Sequence, residues 1–127
     1  MRIAHIALWT DRPETLRDFY VACFGGRSGP KYTNPAKGFV SYFVRFDDGA
    51  SLEICSRTDI RDRAARPHLG YCHIAFDCGS REAVDRRTAE LRAGGYRITG
   101  EPRLTGDGFY ESVAEDPDGN LIELVSR

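Results

Sequence analysis

Residues 118–127, DGNLIELVSR, repeat the pattern of residues 48–57, DGASLEICSR. Each segment has an Asp-Gly turn signal, then a glutamate between two aliphatic residues, then a final Ser-Arg pair, and the segments lie 70 residues apart (48 to 118). A second match joins His5-Ile6-Ala7 to His73-Ile74-Ala75, which lie 68 residues apart (5 to 73). Because self-similarity at a fixed period marks repeated structural units, the chain predicts two copies of one unit.

A helix is predicted after the first strand of each unit. In the first unit, apolar residues follow the helical period at Leu16, Phe19, Tyr20, Cys23 and Phe24. Pro13 suits the first turn of this helix, and Gly25 suits its end. In the second unit, Ser80 is a candidate N-cap, and Val84 and Leu91 lie one heptad apart on the face predicted to be buried.

Segments of strand character follow each helix. They cover residues 39–46 and 51–56 in the first unit and 96–99, 110–115 and 120–126 in the second. With a first strand at each histidine, both units read βαβββ. We therefore predict an α+β fold in which two βαβββ repeats form one curved mixed sheet. A single domain would cover residues 1–127, with repeat units 1–57 and 70–127 and a linker at 58–69.

Composition and charge exclude several classes of protein. With 127 residues, 41% hydrophobic and 29% charged, the chain has the composition of one globular domain. A formal net charge of −1 gives no attraction to nucleic acid or to an anionic membrane. The N-terminal residues lack a signal-peptide pattern, so a cytoplasmic location is predicted. None of the cysteines forms a C-x-x-C motif, so we predict reduced core thiols at Cys23, Cys55, Cys72 and Cys78.

The repeat brings two kinds of polar residue to equivalent points. His5 and His73 lie in the first strand of each unit, and Glu53 and Glu123 lie in the last. Since side chains alternate along a strand, each glutamate points away from its apolar neighbours, onto the concave face of the curved sheet. Two imidazoles and two carboxylates suit one divalent metal ion, with Ni²⁺, Co²⁺ or Zn²⁺ ahead of Fe²⁺ or Mn²⁺. The curved sheet is thus predicted to enclose a metal site.

Four segments resemble a known superfamily over essentially the whole chain. They are Met1-Arg2-Ile3-Ala4-His5, Leu52-Glu53-Ile54, Gly70-Tyr71-Cys72-His73-Ile74-Ala75, and Glu115-Asp116-Pro117-Asp118-Gly119-Asn120 leading into Ile122-Glu123-Leu124. The sequence resembles the vicinal oxygen chelate superfamily, also called the glyoxalase, bleomycin-resistance and extradiol dioxygenase superfamily. Within it, the order His, Glu, His, Glu is similar to that of glyoxalase I, the lactoylglutathione lyase. Methylmalonyl-CoA epimerase is also similar, but it usually has glutamine at the position of Glu53.

The resemblance implies metal-dependent lyase or isomerase chemistry. The metal would chelate two neighbouring oxygens of a hemithioacetal or a similar α-hydroxycarbonyl substrate and stabilise an enediolate. Glu123 is the first candidate for the carboxylate that moves the proton, and Glu53 is the second. The superfamily also implies a homodimer with two sites, since its units often pair across chains. Whether His5 and Glu53 meet His73 and Glu123 of the same chain or of the partner subunit stays open.

Two positions depart from the glyoxalase I pattern. Bacterial enzymes of that type generally hold glutathione with an arginine shortly after the first histidine and an asparagine shortly after the first glutamate, where this chain has Trp9 and Arg57. We therefore predict that Trp9 and Arg57 contact the substrate and that its anchor differs from that of glutathione. The linker offers further anion clamps at Arg61, Arg63 and Arg66, although a solvated basic loop is the favoured interpretation there, and His68 is expected at the surface. Dioxygenase or epimerase activity and metal-free binding of a drug or metabolite stay open as alternatives.

Overall fold

The computed structural model describes residues 1–65, 67 and 69–127 and divides them into two compact units. The first unit covers Met1–Ala64 and the second covers Ala65–Arg127, so the dividing point falls inside the predicted linker 58–69. Arg66 and His68, predicted as an anion clamp and as a surface residue, lie outside the described residues. Arg61 and Arg63 belong to a segment without helix or strand.

The first unit contains one helix and one mixed sheet. Its elements are β1 (His5–Trp9), α1 (Pro13–Phe24), β2 (Arg27–Ser28), β3 (Tyr32–Asn34), a single 3₁₀ turn (Pro35–Lys37), β4 (Phe39–Arg45) and β5 (Ser51–Arg57). The strand order is β1-β5-β4-β2, and β3 also pairs with β4. β1 runs parallel to β5, whereas β4 is antiparallel to its neighbours. The first and last strands of the unit are therefore adjacent.

The second unit repeats this arrangement. Its elements are β6 (His73–Asp77), α2 (Arg81–Ala93), β7 (Ile98–Leu104), β8 (Tyr110–Glu115) and β9 (Leu121–Ser126), with strand order β6-β9-β8-β7. β6 runs parallel to β9, and the other pairs are antiparallel. The α+β class is confirmed, and the strands form two mixed sheets, one in each unit.

The strands of the first unit differ from the predicted βαβββ pattern. β2 and β3 add strands of two and three residues that the sequence did not predict. Residues 29–31 separate them, and neither strand is long enough to show an alternation of polar and apolar side chains. The first unit is therefore βαββββ.

β7 was predicted at residues 96–99 and instead covers Ile98–Leu104. Pro102 in this segment argues against a central strand, because proline has no N–H to donate to the ladder. In the described part of the chain, β7 lies at the edge of its sheet and pairs only with β8, with register shifts on either side of Gly100. An edge strand needs hydrogen bonds on one side only, which explains why it accommodates the proline.

Helix α1 covers the apolar face of the first sheet. Pro13 lies in its first turn, and Gly25 ends it in the left-handed conformation with a φ of 68°, as predicted. Leu16, Phe19 and Tyr20 are buried, and the helix packs against β4 and β5. Full burial of side chains of this size stabilises a fold by roughly 1.5–3 kcal/mol each, so this stripe fixes which face of the sheet is left for polar residues.

Helix α2 has the same role in the second unit. Ser80 is its N-cap, and its hydroxyl oxygen accepts a hydrogen bond from the Ala83 N–H at 3.2 Å. Val84 and Leu91 are buried, as the heptad spacing predicts, and the helix packs against β7, β8 and β9. Among the described residues, no helix is long and apolar enough to cross a membrane.

Glu14 connects α1 to the strands beside it. The ammonium group of Lys31 and the hydroxyl group of Tyr42 each donate a hydrogen bond to Glu14 Oε1 at 2.9 Å. These bonds, the one from Lys31 first, lower the pKa of Glu14 from 4.5 to about 2. Because the folded pKa lies below the unfolded one, the contact stabilises the fold above pH 4.5, and this stabilisation is lost as the pH falls toward about 2.

We expect Glu14→Gln to lower the free energy of unfolding at neutral pH and to lose this effect progressively on acidification. Denaturant unfolding at a series of pH values measures the difference from the unmodified chain. Glu90→Gln is the matched control, since Glu90 forms an exposed 3.1 Å pair with Arg87 on α2 and should contribute little. A deficit in Glu14→Gln that stays constant with pH would show that shape, rather than charge, matters at this position.

Candidate metal-ligand pairs

Strand register fixes one His-Glu pair in each unit. In the parallel pair β1 and β5, Ala7 is the partner of Glu53, and in β6 and β9, Ala75 is the partner of Glu123. Each histidine lies two residues before that alanine and therefore points to the same face as the glutamate. The prediction that His and Glu share a face is thus explained by the same register in both units.

The donor atoms of each pair converge. His5 Nε2 lies 3.7 Å from Glu53 Oε2, and His73 Nε2 lies 3.2 Å from Glu123 Oε2. Both glutamate side chains are 19% exposed, while the histidines are 46% and 36% exposed. The aliphatic neighbours of the glutamates, Leu52, Ile54, Ile122 and Leu124, are buried. Each pair is therefore a half-buried nitrogen and oxygen donor set on the face that the helix leaves uncovered.

The structure brings the four predicted ligands together as two pairs, His5 with Glu53 and His73 with Glu123. Among the described residues, no three histidine, cysteine, aspartate or glutamate side chains form a group that could hold a metal ion. The four-ligand centre of His5, Glu53, His73 and Glu123 therefore stays a prediction. The chemistry of the pairs fits it, since imidazole and carboxylate groups are ligands for first-row divalent metals and each pair presents one of each.

The glutamate of the second pair lies in a distinct electrostatic environment. Burial raises the pKa of Glu123, and the neighbouring His73 acts in the opposite direction. Glu111 adds a smaller upward effect on this pKa, while Arg103 opposes it. Arg103 itself donates to Glu111 Oε1 at 3.1 Å, so the negative charge beside Glu123 is partly neutralised.

Two contacts of the histidines were not predicted. The thiol of Cys72 lies 3.1 Å from His73 Nδ1, which leaves Nε2 of this ring directed at Glu123. The ring of Phe43 meets His5 edge to face, with 5.4 Å between centroids. Phe43 is the register partner of Glu53, so pairing of β4 with β5 brings it to this face. The signal in the sequence was its position between Tyr42 and Val44, because neighbouring side chains in a strand point to opposite faces.

The prediction that all four cysteines are core thiols is wrong for Cys72. It is exposed because it precedes β6 and does not belong to the strand, whereas Cys55 is buried and Cys23 and Cys78 are half-buried. Cys55 faces the same side as Glu53, and its thiol donates to the Glu53 carbonyl oxygen at 3.8 Å. Burial raises the pKa of the Cys55 thiol to about 12, so it acts as a packing residue.

The predicted substrate residues Trp9 and Arg57 lie together at the end of β1 and β5. The Arg57 guanidinium lies 5.4 Å from the centroid of the Trp9 ring, and its Nε donates to Asp59 Oδ1 at 2.6 Å. Both side chains are on the same face as His5 and Glu53, four residues further along their strands. The structure thus brings the two residues into contact, and their role with the substrate stays a prediction.

Comparison with known proteins gives these pairs a family context. The family model "Glyoxalase/Bleomycin resistance protein/Dioxygenase superfamily" matches residues 2–124. The chain belongs to this superfamily. Membership confirms the resemblance of the four segments and agrees with the two helices and two mixed sheets of the fold.

Two curated proteins are similar to this chain. "Uncharacterized protein YqjT" of Bacillus subtilis (strain 168) is 41% identical over 64 residues, which are 48% of this chain and 50% of that protein. "Putative lactoylglutathione lyase" of Brassica oleracea var. gemmifera is 26% identical over 128 residues, covering 99% of this chain and 44% of that protein. This chain therefore spans about half the length of the curated relatives it matches.

A solved superfamily member shows the likeness in three dimensions. A crystallised glyoxalase I variant from Zea mays aligns with a TM-score of 0.83 at 22% identity, covering 99% of this chain and 44% of that one. At this identity the likeness is one of fold. The likeness does not carry an activity over to this chain, whose function depends on its own residues.

We expect the two cysteines nearest the candidate ligands to differ widely in reactivity. Ellman's reagent should label the exposed Cys72 rapidly in the native protein and leave Cys55 unlabelled, because a shift of the Cys55 pKa from 9.0 to about 12 lowers its thiolate fraction about a thousandfold. Cys72→Ser should remove the fast phase, while Cys55→Ser, the matched control, should retain it. Rapid labelling in Cys72→Ser would contradict this assignment.

Proposed function

We propose that this chain is a metal-dependent lyase or isomerase of glyoxalase I type. The observation that carries the proposal is the repetition of one His-Glu pair, at the same strand register and on the uncovered face, in both units. An ionised carboxylate that is four-fifths buried is costly unless it is paired or bound to a cation. A metal-free binding protein would have no need of this arrangement twice, which favours the enzyme.

His5, Glu53, His73 and Glu123 would hold one divalent metal ion, with Ni²⁺, Co²⁺ or Zn²⁺ ahead of Fe²⁺ or Mn²⁺. When bound, such an ion supplies Lewis-acid stabilisation of negative charge on two neighbouring substrate oxygens. The side chains of this chain would orient the ligands and transfer the proton. Cys72 holds the His73 ring by Nδ1, so that its Nε2 is the nitrogen available on the uncovered face.

A carboxylate moves the proton in this proposal. Glu123 would accept a proton from the carbon beside a carbonyl of a hemithioacetal or similar α-hydroxycarbonyl compound and return it to the adjacent carbon. Glu53 is the second candidate, because it occupies the equivalent register position in the first unit. Trp9 and Arg57 would contact the part of the substrate that does not react.

Assembly completes the proposal. We expect a homodimer in which the His5-Glu53 pair of one subunit and the His73-Glu123 pair of the other hold the same ion. Each subunit then contributes half of each site, and the dimer has two sites.

Metal content and turnover test the central claim. Protein purified without chelators should contain stoichiometric metal, and Glu53→Gln and Glu123→Gln should each weaken metal binding by at least about tenfold. With methylglyoxal and glutathione as trial substrates, Glu123→Gln should lower turnover by roughly 10²–10⁴-fold, the usual contribution of a positioned base. Glu101→Gln is the control, since Glu101 lies at the exposed edge strand β7 and pairs with Arg92.

The outcomes separate the alternatives. Stoichiometric metal without turnover would retain the site and exclude glutathione as the thiol, directing the search to other thiols and to dioxygenase or epimerase substrates. Absence of bound metal under every condition would overturn the proposal and favour drug or metabolite binding.

Subunit mixing tests the shared site. Glu53→Gln and Glu123→Gln proteins, unfolded together and refolded, should regain up to about a quarter of the unmodified activity, because half of the subunits pair as mixed dimers with one intact site each. Each variant refolded alone provides the control. If the four ligands came from one chain, every site in the mixture would have one defect and no activity would return.

A further inference from the structure

The uncovered face of the first unit has a second feature beyond its His-Glu pair. We call it the aromatic-arginine cluster, and it consists of Trp9, Tyr32, Phe39 and Arg57. All four residues belong to strands of one sheet, β1, β3, β4 and β5, within the same compact unit. The cluster is therefore defined by backbone pairing and not by a loop.

Ring contacts order the cluster. Phe39 meets Trp9 edge to face with 6.2 Å between centroids, and Tyr32 lies 6.1 Å from Phe39. Phe39 is the register partner of Arg57, which extends over the Trp9 ring. The Arg57–Asp59 hydrogen bond fixes the guanidinium from its Nε side. The π-faces and the cation thus keep a defined arrangement.

The cluster exposes apolar surface that the core does not use. Trp9 is 49% exposed and Tyr32 is 56% exposed, although they lie in paired strands. An open surface pocket adjoins the indole, and Thr10, Asp11 and residues 60–63 form its other walls. Contiguous exposed aromatic residues beside a cation are typical of a binding surface, and they match a flat anionic ligand by shape and by charge.

Strand geometry sets the distance between the cluster and the candidate ligands. Trp9 lies four residues after His5, and Arg57 lies four residues after Glu53, on the same face of parallel neighbours. At about 3.3 Å per residue, the two features lie about 13 Å apart. A molecule that contacts both must be elongated, with its reacting oxygens at one end and its anchor at the other.

We propose that the aromatic-arginine cluster binds a planar aromatic carboxylate, which forms the non-reacting end of the substrate. The aromatic ring stacks on the Trp9 indole, and the carboxylate accepts hydrogen bonds from the Arg57 guanidinium. This inference rests on the proposed function, because the His5-Glu53 pair marks the reacting end. It assigns a substrate class different from glutathione, which has carboxylates but no aromatic ring.

Fluorescence of Trp9 tests the proposal directly. Trp9 is the single tryptophan of the chain, so selective excitation of indole reports on the cluster alone. We expect para-nitrobenzoate, a flat anionic quencher, to quench this fluorescence saturably. The neutral isostere para-nitrobenzamide should bind about tenfold more weakly, which is the loss expected for one charge-assisted hydrogen bond.

Variants separate the cluster from general charge effects. Arg57→Gln should abolish the preference for the anion, whereas Arg27→Gln should leave it unchanged, since Arg27 forms a comparable exposed pair with Asp47 in the same sheet. Phe39→Leu should weaken both compounds severalfold, and circular dichroism would verify that each variant is folded. Cyclohexanecarboxylate, an anion without a flat face, should compete poorly with para-nitrobenzoate.

Several results would overturn the proposal. One is quenching that rises linearly and equally for both compounds, and another is an anion preference that survives Arg57→Gln. A third is quenching that depends on protein concentration, which would identify the surface as an interface between copies of this chain. The quenching assay is carried out without added metal and without turnover, whereas the proposed function is measured by metal content and turnover. Failure of the metal site and failure of the cluster are therefore distinguishable.

Discussion

Parallel pairing between the first and last strands of each unit is the constraint on which the candidate site depends. The chain crosses over through a helix before the last strand arrives beside the first, and the helix buries one face of the resulting sheet. Apolar residues of the last strand are thereby committed to the helix side. The glutamate between them is left with the histidine of the first strand on the opposite side. Without this pairing, neither residue would have the other as its partner.

The two units use the same backbone device with different surroundings. In the first unit Phe43 lies beside the pair, and its equivalent in the second unit is Val113, the register partner of Glu123. Glu111 and Arg103 add charge beside Glu123, while aromatic rings dominate the first unit. A repeated frame thus provides one His-Glu pair with charged neighbours and another with aromatic ones.

Much of this arrangement follows from the sequence, and the exceptions have physical causes. Helix caps at Gly25 and Ser80 are local, since they need only a left-handed φ or a side-chain hydroxyl, and both were predicted. The shared face of each His-Glu pair follows from the alternation of side chains along a strand. The contact of Phe43 with His5 requires the register of β4 against β5, which one sequence does not reveal, since a slip of one residue would reverse the face. Strand β7 was misplaced because Pro102 is tolerated at an edge, a property of sheet position and not of local preference.

The separation of the paired strands along the chain also has a kinetic consequence. Ala7 and its partner Glu53 lie 46 residues apart (7 to 53), and Ala75 and Glu123 lie 48 apart (75 to 123). Contacts between such distant residues must overcome the entropy of closing a long loop, so they form late and slow the folding of a domain. During synthesis, the first unit cannot close its sheet until its fifth strand has left the ribosome. Each histidine of the candidate site therefore meets its glutamate late, and the donor pair forms only as folding of its unit is completed.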